Sequence, residues 1–138
     1  MTIEEKEQEI IEEFEIFGSD WEAKYEHLID LGKSLPLIKT EFKTEERIIK
    51  GCQSRVWLDS GISEGKIIFT ADADAIITKG MVALLVRVLS GHKPEEIVKA
   101  KLDFIDKIDL KEHLSPTRAN GLVSMINKMK ADALAFIK

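Results

Sequence analysis

One side chain dominates the chemistry open to this sequence. Among 138 residues only Cys52 carries a thiol. A single Cys excludes an intrachain disulfide, a CxxC redox pair and an all-Cys metal site within one chain. It also excludes a resolving thiol in the same molecule, so any partner sulfur must come from another one. A lone Cys is most often a buried, inert residue. Cys52 stands outside any apolar stripe. It follows Gly51 in a segment that reads as a loop, with Arg47, Lys50 and Arg55 close in sequence. Nearby cations favour the thiolate, which is the nucleophile. Ile48, Ile49, Val56 and Trp57 flank it and predict an apolar wall, and burial raises a thiol pKa. The sequence leaves the balance between these two effects open.

The other polar candidates have simpler readings. His27, His92 and His113 fall in no metal-ligand spacing such as HExxH, and one Cys cannot complete a typical zinc site. A Cys–His dyad with His113 has no support from spacing; surface or capping roles are favoured for all three. Asp72 and Asp74 form a carboxylate pair at a strand-to-helix junction, where capping and the helix dipole account for them without a metal. Arg118 falls three residues after Ser115, in the first turn of a helix, where the dipole disfavours a cation. It is either simply solvated or held there by an acidic group or an anion.

The elements that must position these groups follow from periodicity and punctuation. Residues 2–17 read as a helix, with Thr2 and Glu5 as a capping box, Ile3, Ile10, Phe14 and Phe17 on one face, and Gly18 as the stop. A second capping box, Ser19 with Glu22, opens a helix whose stripe is Trp21, Tyr25, Leu28 and Ile29, closed by Gly32. Residues 33–46 read as irregular. Arg47-Ile48-Ile49, Val56–Ser60 and Lys66–Thr70 read as strands, the last two joined through a turn from Gly61 to Gly65. Residues 74–89 are apolar nearly all round and predict a buried central helix. Pro94 begins a short helix to Lys99, residues 103–114 form short helical turns, and Ser115-Pro116 caps a last helix to about Phe136. Its apolar face is Leu122, Met125, Ile126, Met129, Ala133 and Leu134, with Ile137 at the end. The expected fold class is α+β: a small antiparallel three-stranded sheet packed against helices, in a single domain over 1–138.

Composition narrows the function further. Hydrophobic residues make up 44% and charged residues 33%, as in an ordinary globular domain. Twenty basic against 25 acidic residues give a net charge of -5, with no dense Lys/Arg cluster, so a nucleic-acid partner is not expected. The longest strongly apolar run, Met81–Val86, is far short of the roughly 20 residues that span a bilayer. No membrane association is expected. The acidic start, Met-Thr-Ile-Glu-Glu-Lys-Glu, shows no secretory signal, and the cytoplasm is the expected compartment.

The run Gly51-Cys52-Gln53-Ser54-Arg55-Val56-Trp57-Leu58 closely resembles the sulfur-acceptor signature of the SufE family, partners of cysteine desulfurases in iron–sulfur cluster assembly. Trp21-Glu22-Ala23-Lys24-Tyr25, with Leu28-Ile29, Leu31-Gly32 and Leu35-Pro36, resembles that family's N-terminal pattern. Asp72-Ala73-Asp74-Ala75 with Lys79-Gly80 is similar to its central helix entry. His113-Leu114-Ser115-Pro116-Thr117-Arg118 with Gly121-Leu122 is similar to its C-terminal motif. The resemblance covers nearly the whole chain, in order. One departure is Arg47, five positions before the Cys, where the family often has Asn.

The resemblance implies a SufE/IscU-like fold and a role for Cys52 as acceptor of persulfide sulfur from a SufS-type cysteine desulfurase, stimulating that enzyme's turnover. It implies delivery to a SufB-containing scaffold complex, with no cofactor and no metal of the chain's own. Arg118 would position the loop or the incoming sulfur, and Asp74 and Lys79 would be structural or part of a docking face. Such a protein is a sulfur-transfer accessory, not a stand-alone enzyme. The single Cys suits a carrier, because a second thiol nearby would expel the sulfur as sulfide; IscU-type scaffolds need several Cys ligands. An apolar wall would shield the persulfide, with the Cys52 loop tucked in when idle and out on docking. The alternative within the same chemistry is a CsdE-like acceptor serving another desulfurase and client. A self-sufficient Cys enzyme would need a base or oxyanion site beside Cys52. A pure interaction module would keep its function as Cys52→Ser.

Overall fold

The computed structural model describes residues 1–137. Helix α1 spans Ile3–Glu15, and Thr2 and Glu5 form the reciprocal capping box that their spacing predicts. Ile3, Ile10, Ile11 and Phe14 are its buried face. Helix α2 spans Trp21–Lys33. Its cap is Asp20, whose carboxylate accepts from the Ala23 amide, so the Ser19–Glu22 box does not form. Ser and Asp cap about equally well. Gly18, at φ +58, turns the chain so that the second of the two takes the position.

Strands β1 (Val56–Ser63) and β2 (Lys66–Ala73) pair antiparallel, from Val56↔Ala73 to Ser63↔Lys66. Both run three residues beyond the expected ends, and the turn shrinks to Glu64-Gly65. Both of these residues have positive φ (53 and 78), matching the right-handed twist of a two-residue hairpin. Among the described residues the sheet has two strands, not the expected three. Glu45–Arg47 coils into a 3-10 turn, and Gly51 turns the chain again. That leaves Ile48 and Ile49 extended for only a single antiparallel bridge, Ile48↔Trp57. On the other side, Leu37 bridges Ala71 and His92 bridges Ile67.

A two-stranded hairpin is marginal alone. This one is stabilised by burying Val56, Leu58, Ile67, Phe69 and Ala71 in the common core. The centre of that core is α3 (Ile76–Leu89), buried from Met81 to Val86 and again at Val88 and Leu89. Ile76, 64% exposed, breaks the all-round apolar reading in the first turn. Helices α2 and α3 meet glycine to glycine. A Cβ on Gly80 would stand 2.3 Å from the Leu28 carbonyl oxygen, and one on Gly32 would stand 3.0 Å from the Gly80 nitrogen. Gly32 is therefore a packing residue within α2 and not its C-cap, which is Ser34.

Helix α4 (Pro94–Lys99), the short α5 (Phe104–Lys107) and α6 (Pro116–Ala135) complete the chain. Ser115 caps α6 by accepting from the Arg118 amide, with Pro116 at the first helical position, as expected. Leu122, Met125, Met129 and Ala133 are its buried stripe; Leu134, expected there, is 59% exposed. No described helix is long and apolar enough to cross a membrane.

Candidate functional site: a half-buried thiol against the last helix

Cys52 lies in the loop that leads into β1. The base of this loop is fastened twice. The Ile49 amide donates to the Val56 carbonyl at 2.8 Å. The Asp74 carboxylate accepts from the Arg55 amide at 3.0 Å, while the Asp74 amide donates to the Arg55 carbonyl at 3.1 Å. Within the loop Gly51 has φ +95, and a Cβ there would stand 2.4 Å from Ser124 Oγ on α6. Both the dihedral and the space demand glycine.

The Cys52 thiol donates to the Gly121 carbonyl at 3.5 Å. A cavity of about 50 Å³ adjoins it, lined by Ser54, Thr78, Met81, Thr117, Arg118 and Met125 as well as Cys52 and Gly121. Cys52 is half-buried, and burial pushes its pKa up. Of the two opposing effects, burial is thus the one that acts on the thiol here. Arg47 is held by Asp59 at 3.0 Å and packs over the Phe42 ring, while Lys50 and Arg55 are exposed. Proximity in sequence therefore does not become proximity of charge.

Arg118 stands in the first turn of α6 and lines the thiol cavity. It has no acidic partner within salt-bridge distance among the described residues, and it is exposed. No described residue is thus the acidic partner suggested by its position.

Asp72 and Asp74 do not cap α3. Its N-cap is Ala75, which makes no side-chain hydrogen bond. Asp74 holds the loop base instead. Asp72 binds Lys43 at 3.1 Å and Lys79 at 3.3 Å and accepts from the Ala73 amide at 2.8 Å. Burial alone would raise its carboxyl pKa; these hydrogen bonds outweigh that and hold it below the usual range. Lys43 also lies over the Trp57 ring, so this cluster straps the irregular segment onto the hairpin.

The histidines lie elsewhere. His27 contacts Glu13 at 3.0 Å between the Phe14 and Phe17 rings. His113 stacks on Trp21 at 3.8 Å, and its backbone carbonyl accepts from the Tyr25 hydroxyl. His92 is buried, with Nε2 unpaired. None of the three lines the thiol cavity, so the structure forms no Cys–His dyad.

Sequence reading missed Gly121, Thr78 and Met81 as neighbours of the thiol. The one local signal was Gly121, three residues after Arg118 and so on the same helix face. A larger cavity, about 320 Å³, lies between α2 and α3 among Leu31, Leu35, Pro36, Ala83 and Arg87; it holds no thiol, only the hydroxyls of Ser34 and Ser90. The chemistry on offer is thus that of one shielded thiol, without a side-chain base, beside space for at least one added atom; about 10–15 Å³ of such space is enough for a water.

Comparison with known proteins gives a consistent result. Residues 8–133 match the family model described as "SufE: Fe-S metabolism associated domain". SufE-like protein 1, chloroplastic/mitochondrial, of Arabidopsis thaliana is 40% identical over 128 residues. That alignment covers 92% of this chain and 34% of the plant protein, so the chain spans about a third of that relative. An uncharacterized SufE-like protein of Rhizobium meliloti is 41% identical over 130 residues, 91% of this chain and 92% of that one. One of Synechocystis is 37% identical over 127 residues, 92% and 79% of the two chains. The solution structure of a hypothetical protein from Thermus thermophilus shares the fold, with a TM-score of 0.78, 20% identity and 94% of each chain covered.

Proposed function

This chain belongs to the SufE family, and from that premise we propose that it is a sulfur carrier in iron–sulfur cluster assembly, with Cys52 as the acceptor. The observation that carries the reading is the seat of the lone thiol: half-buried on a fastened loop, against Gly121, beside a cavity large enough for one further sulfur.

In the proposed step the Cys52 thiolate attacks the outer sulfur of a persulfide on a SufS-type cysteine desulfurase. A bond forms between Cys52 Sγ and that sulfur. The sulfur–sulfur bond of the donor breaks, and the donor Cys leaves as a thiolate that takes up a proton. One sulfur atom moves, and no external oxidant or reductant is needed. Because burial disfavours the Cys52 thiolate, docking must bring the loop out or otherwise favour the charged form. The loop therefore gates the transfer. Arg118, at the cavity wall and without an acidic partner among the described residues, supplies a positive charge for the thiolate or persulfide anion. A SufB-containing scaffold then accepts the sulfur, and the compartment is the cytoplasm.

Intact-mass measurement after mixing the protein with a SufS-type desulfurase and cysteine tests the reading. The expected result is a gain of one sulfur, reversed by reductant and absent from Cys52→Ser. No gain with an active SufS-type enzyme but a gain with a second desulfurase would assign the CsdE-like role. No gain with either would overturn the carrier reading.

A further inference from the structure

The outer edge of β1 is open beyond Leu58. The two-residue turn makes Ser63 and Lys66 a hydrogen-bonded pair, so Asp59 and Gly61 also turn their backbone groups toward β2. Ser60 and Ile62 turn theirs outward. The Val56 carbonyl, of the same parity, accepts from Ile49 on that side. The opposite edge of the hairpin is covered. Ile67 donates to the His92 carbonyl, Phe69 to the Ser90 hydroxyl and Ala71 to the Pro36 carbonyl. On β1 the cover stops at the Ile48–Trp57 bridge. Among the described residues nothing pairs with the outward backbone groups of Ser60 and Ile62.

Proteins usually guard such an edge with Lys, Pro or a bulge. Ser60-Gly61-Ile62 has none of these, and Ile62 is 52% exposed. A groove of about 280 Å³ runs beside the edge, between β1 and the C-terminal half of α6. Ala135 and Phe136 give it an apolar lining, with the buried Leu58 beneath. Two of its charge pairs are internally matched, Arg47–Asp59 and Lys128–Asp132 at 2.7 Å. Glu46, on the wall, has no such partner among the described residues and leaves the groove acidic.

We infer that this edge and groove form a docking site for an extended segment of a partner protein, added to β1 as a further strand. The segment presents an apolar side chain to Ala135 and Phe136 and a basic one to Glu46. Strand addition supplies affinity through the backbone, and alternate side chains supply selectivity. A second copy of this chain fits poorly, since each carries a net charge of -5 and would bring a second Glu46 to the same seam. The site lies about 17 Å along α6 from Gly121, at 1.5 Å per residue to Asp132. A partner anchored there keeps its remaining mass within range of the thiol without covering it.

The test uses the isotope-labelled full chain with a capped peptide of alternating Val and Lys, Val-Lys-Val-Lys-Val-Lys-Val, and its Val-Glu counterpart. The Lys peptide is expected to shift the Ser60, Gly61 and Ile62 amides saturably and to slow exchange of the Ser60 and Ile62 amides by about tenfold. Ile62→Pro removes one outward N–H and no β1–β2 bond, and is expected to abolish binding while circular dichroism stays native. Glu46→Gln, exposed and independent of the hairpin, is expected to weaken the Lys peptide alone. Equal binding of the Val-Glu peptide, or shifts confined to another surface, would overturn the proposal. So would protection of Ser60 and Ile62 that deepens with protein concentration in the absence of peptide, because a second copy would then be the occupant.

Discussion

The sulfur of Cys52 rests 3.5 Å from the carbonyl oxygen of Gly121, a residue 69 positions further along the chain. One partner sits on a loop and the other on a helix, so the thiol's surroundings depend on how these two elements dock. A Cβ on Gly121 would lie 3.5 Å from the sulfur, in ordinary contact. Alanine therefore fits beside a free thiol but crowds the space for a second sulfur.

Alkylation of Cys52 is expected to follow a titration whose midpoint lies above the about 8.5 of a free thiol, because burial disfavours the thiolate. The sign for stability follows. The folded pKa is raised, so this group's contribution is fully present below about 8.5 and is lost as pH climbs through the folded value. Iodoacetamide rates against pH check the first point, and denaturant midpoints of wild type and Cys52→Ser check the second. A midpoint below 8.5 would contradict the burial argument.

Gly51→Ala combines two penalties. The left-handed φ costs a non-glycine residue about 1–2 kcal/mol, and the new Cβ meets Ser124 Oγ at 2.4 Å. Adding Ser124→Gly removes the collision and leaves the dihedral cost. Denaturant unfolding of the single and double variants should show partial recovery; full recovery would mean that the dihedral costs nothing here.

Gly80→Ala is expected to destabilise the whole protein, by about 3 kcal/mol or more. Its Cβ would meet the Leu28 carbonyl, a backbone group that moves only with α2. A thermal midpoint close to wild type would show that the two helices can separate freely.

Arg118→Ala is expected to leave stability within about 0.5 kcal/mol, since the side chain is exposed and has no ion pair among the described residues. Sulfur uptake by Cys52 should slow by about tenfold, as for one lost charge contact of about 1.4 kcal/mol. Arg118→Lys should restore part of the rate. Unchanged uptake in the alanine variant would remove Arg118 from the site.

Acid should loosen the His92 region. Burial lowers the His92 pKa, Lys6 and Lys66 act in the same direction, and Glu96 opposes them. Its contribution to stability is thus present above about 6.5 and is lost as pH falls through the depressed folded value. His92→Gln should flatten that part of the stability profile; an unchanged profile would assign the pH dependence to other groups.

Features set by neighbouring residues were legible in the sequence. The Thr2–Glu5 box, the Ser115-Pro116 start and the burial of Met81–Val86 each depend on nearby residues and appear as read. Features set by distant packing were not. Gly32 looks like a helix stop in one dimension, and only Gly80 of another helix reveals its use. Arg47 looks like a neighbour of the thiol until Asp59 claims it. Ile48-Ile49 has strand-forming side chains, but a 3-10 turn before it and Gly51 after it limit its pairing to one bridge. Asp72 and Asp74 resemble caps by position, yet their partners, Lys43, Lys79 and the Arg55 amide, come from other segments. For the site itself, Cys52 and Arg118 could be singled out, whereas the wall they share with Met81 and Thr78 could not.

The two fastenings at the base of the Cys52 loop also set a length scale. With Ile49 held to Val56 and Arg55 held by Asp74, Cys52 is three residues from each anchor. A fully extended chain covers about 3.3–3.6 Å per residue, so the tip can travel about 10 Å from its base while the hairpin stays intact. The loop is thus a short leash. A donor whose own sulfur is recessed by more than that distance must extend an arm of its own, or the exchange must break the Asp74 clasp first.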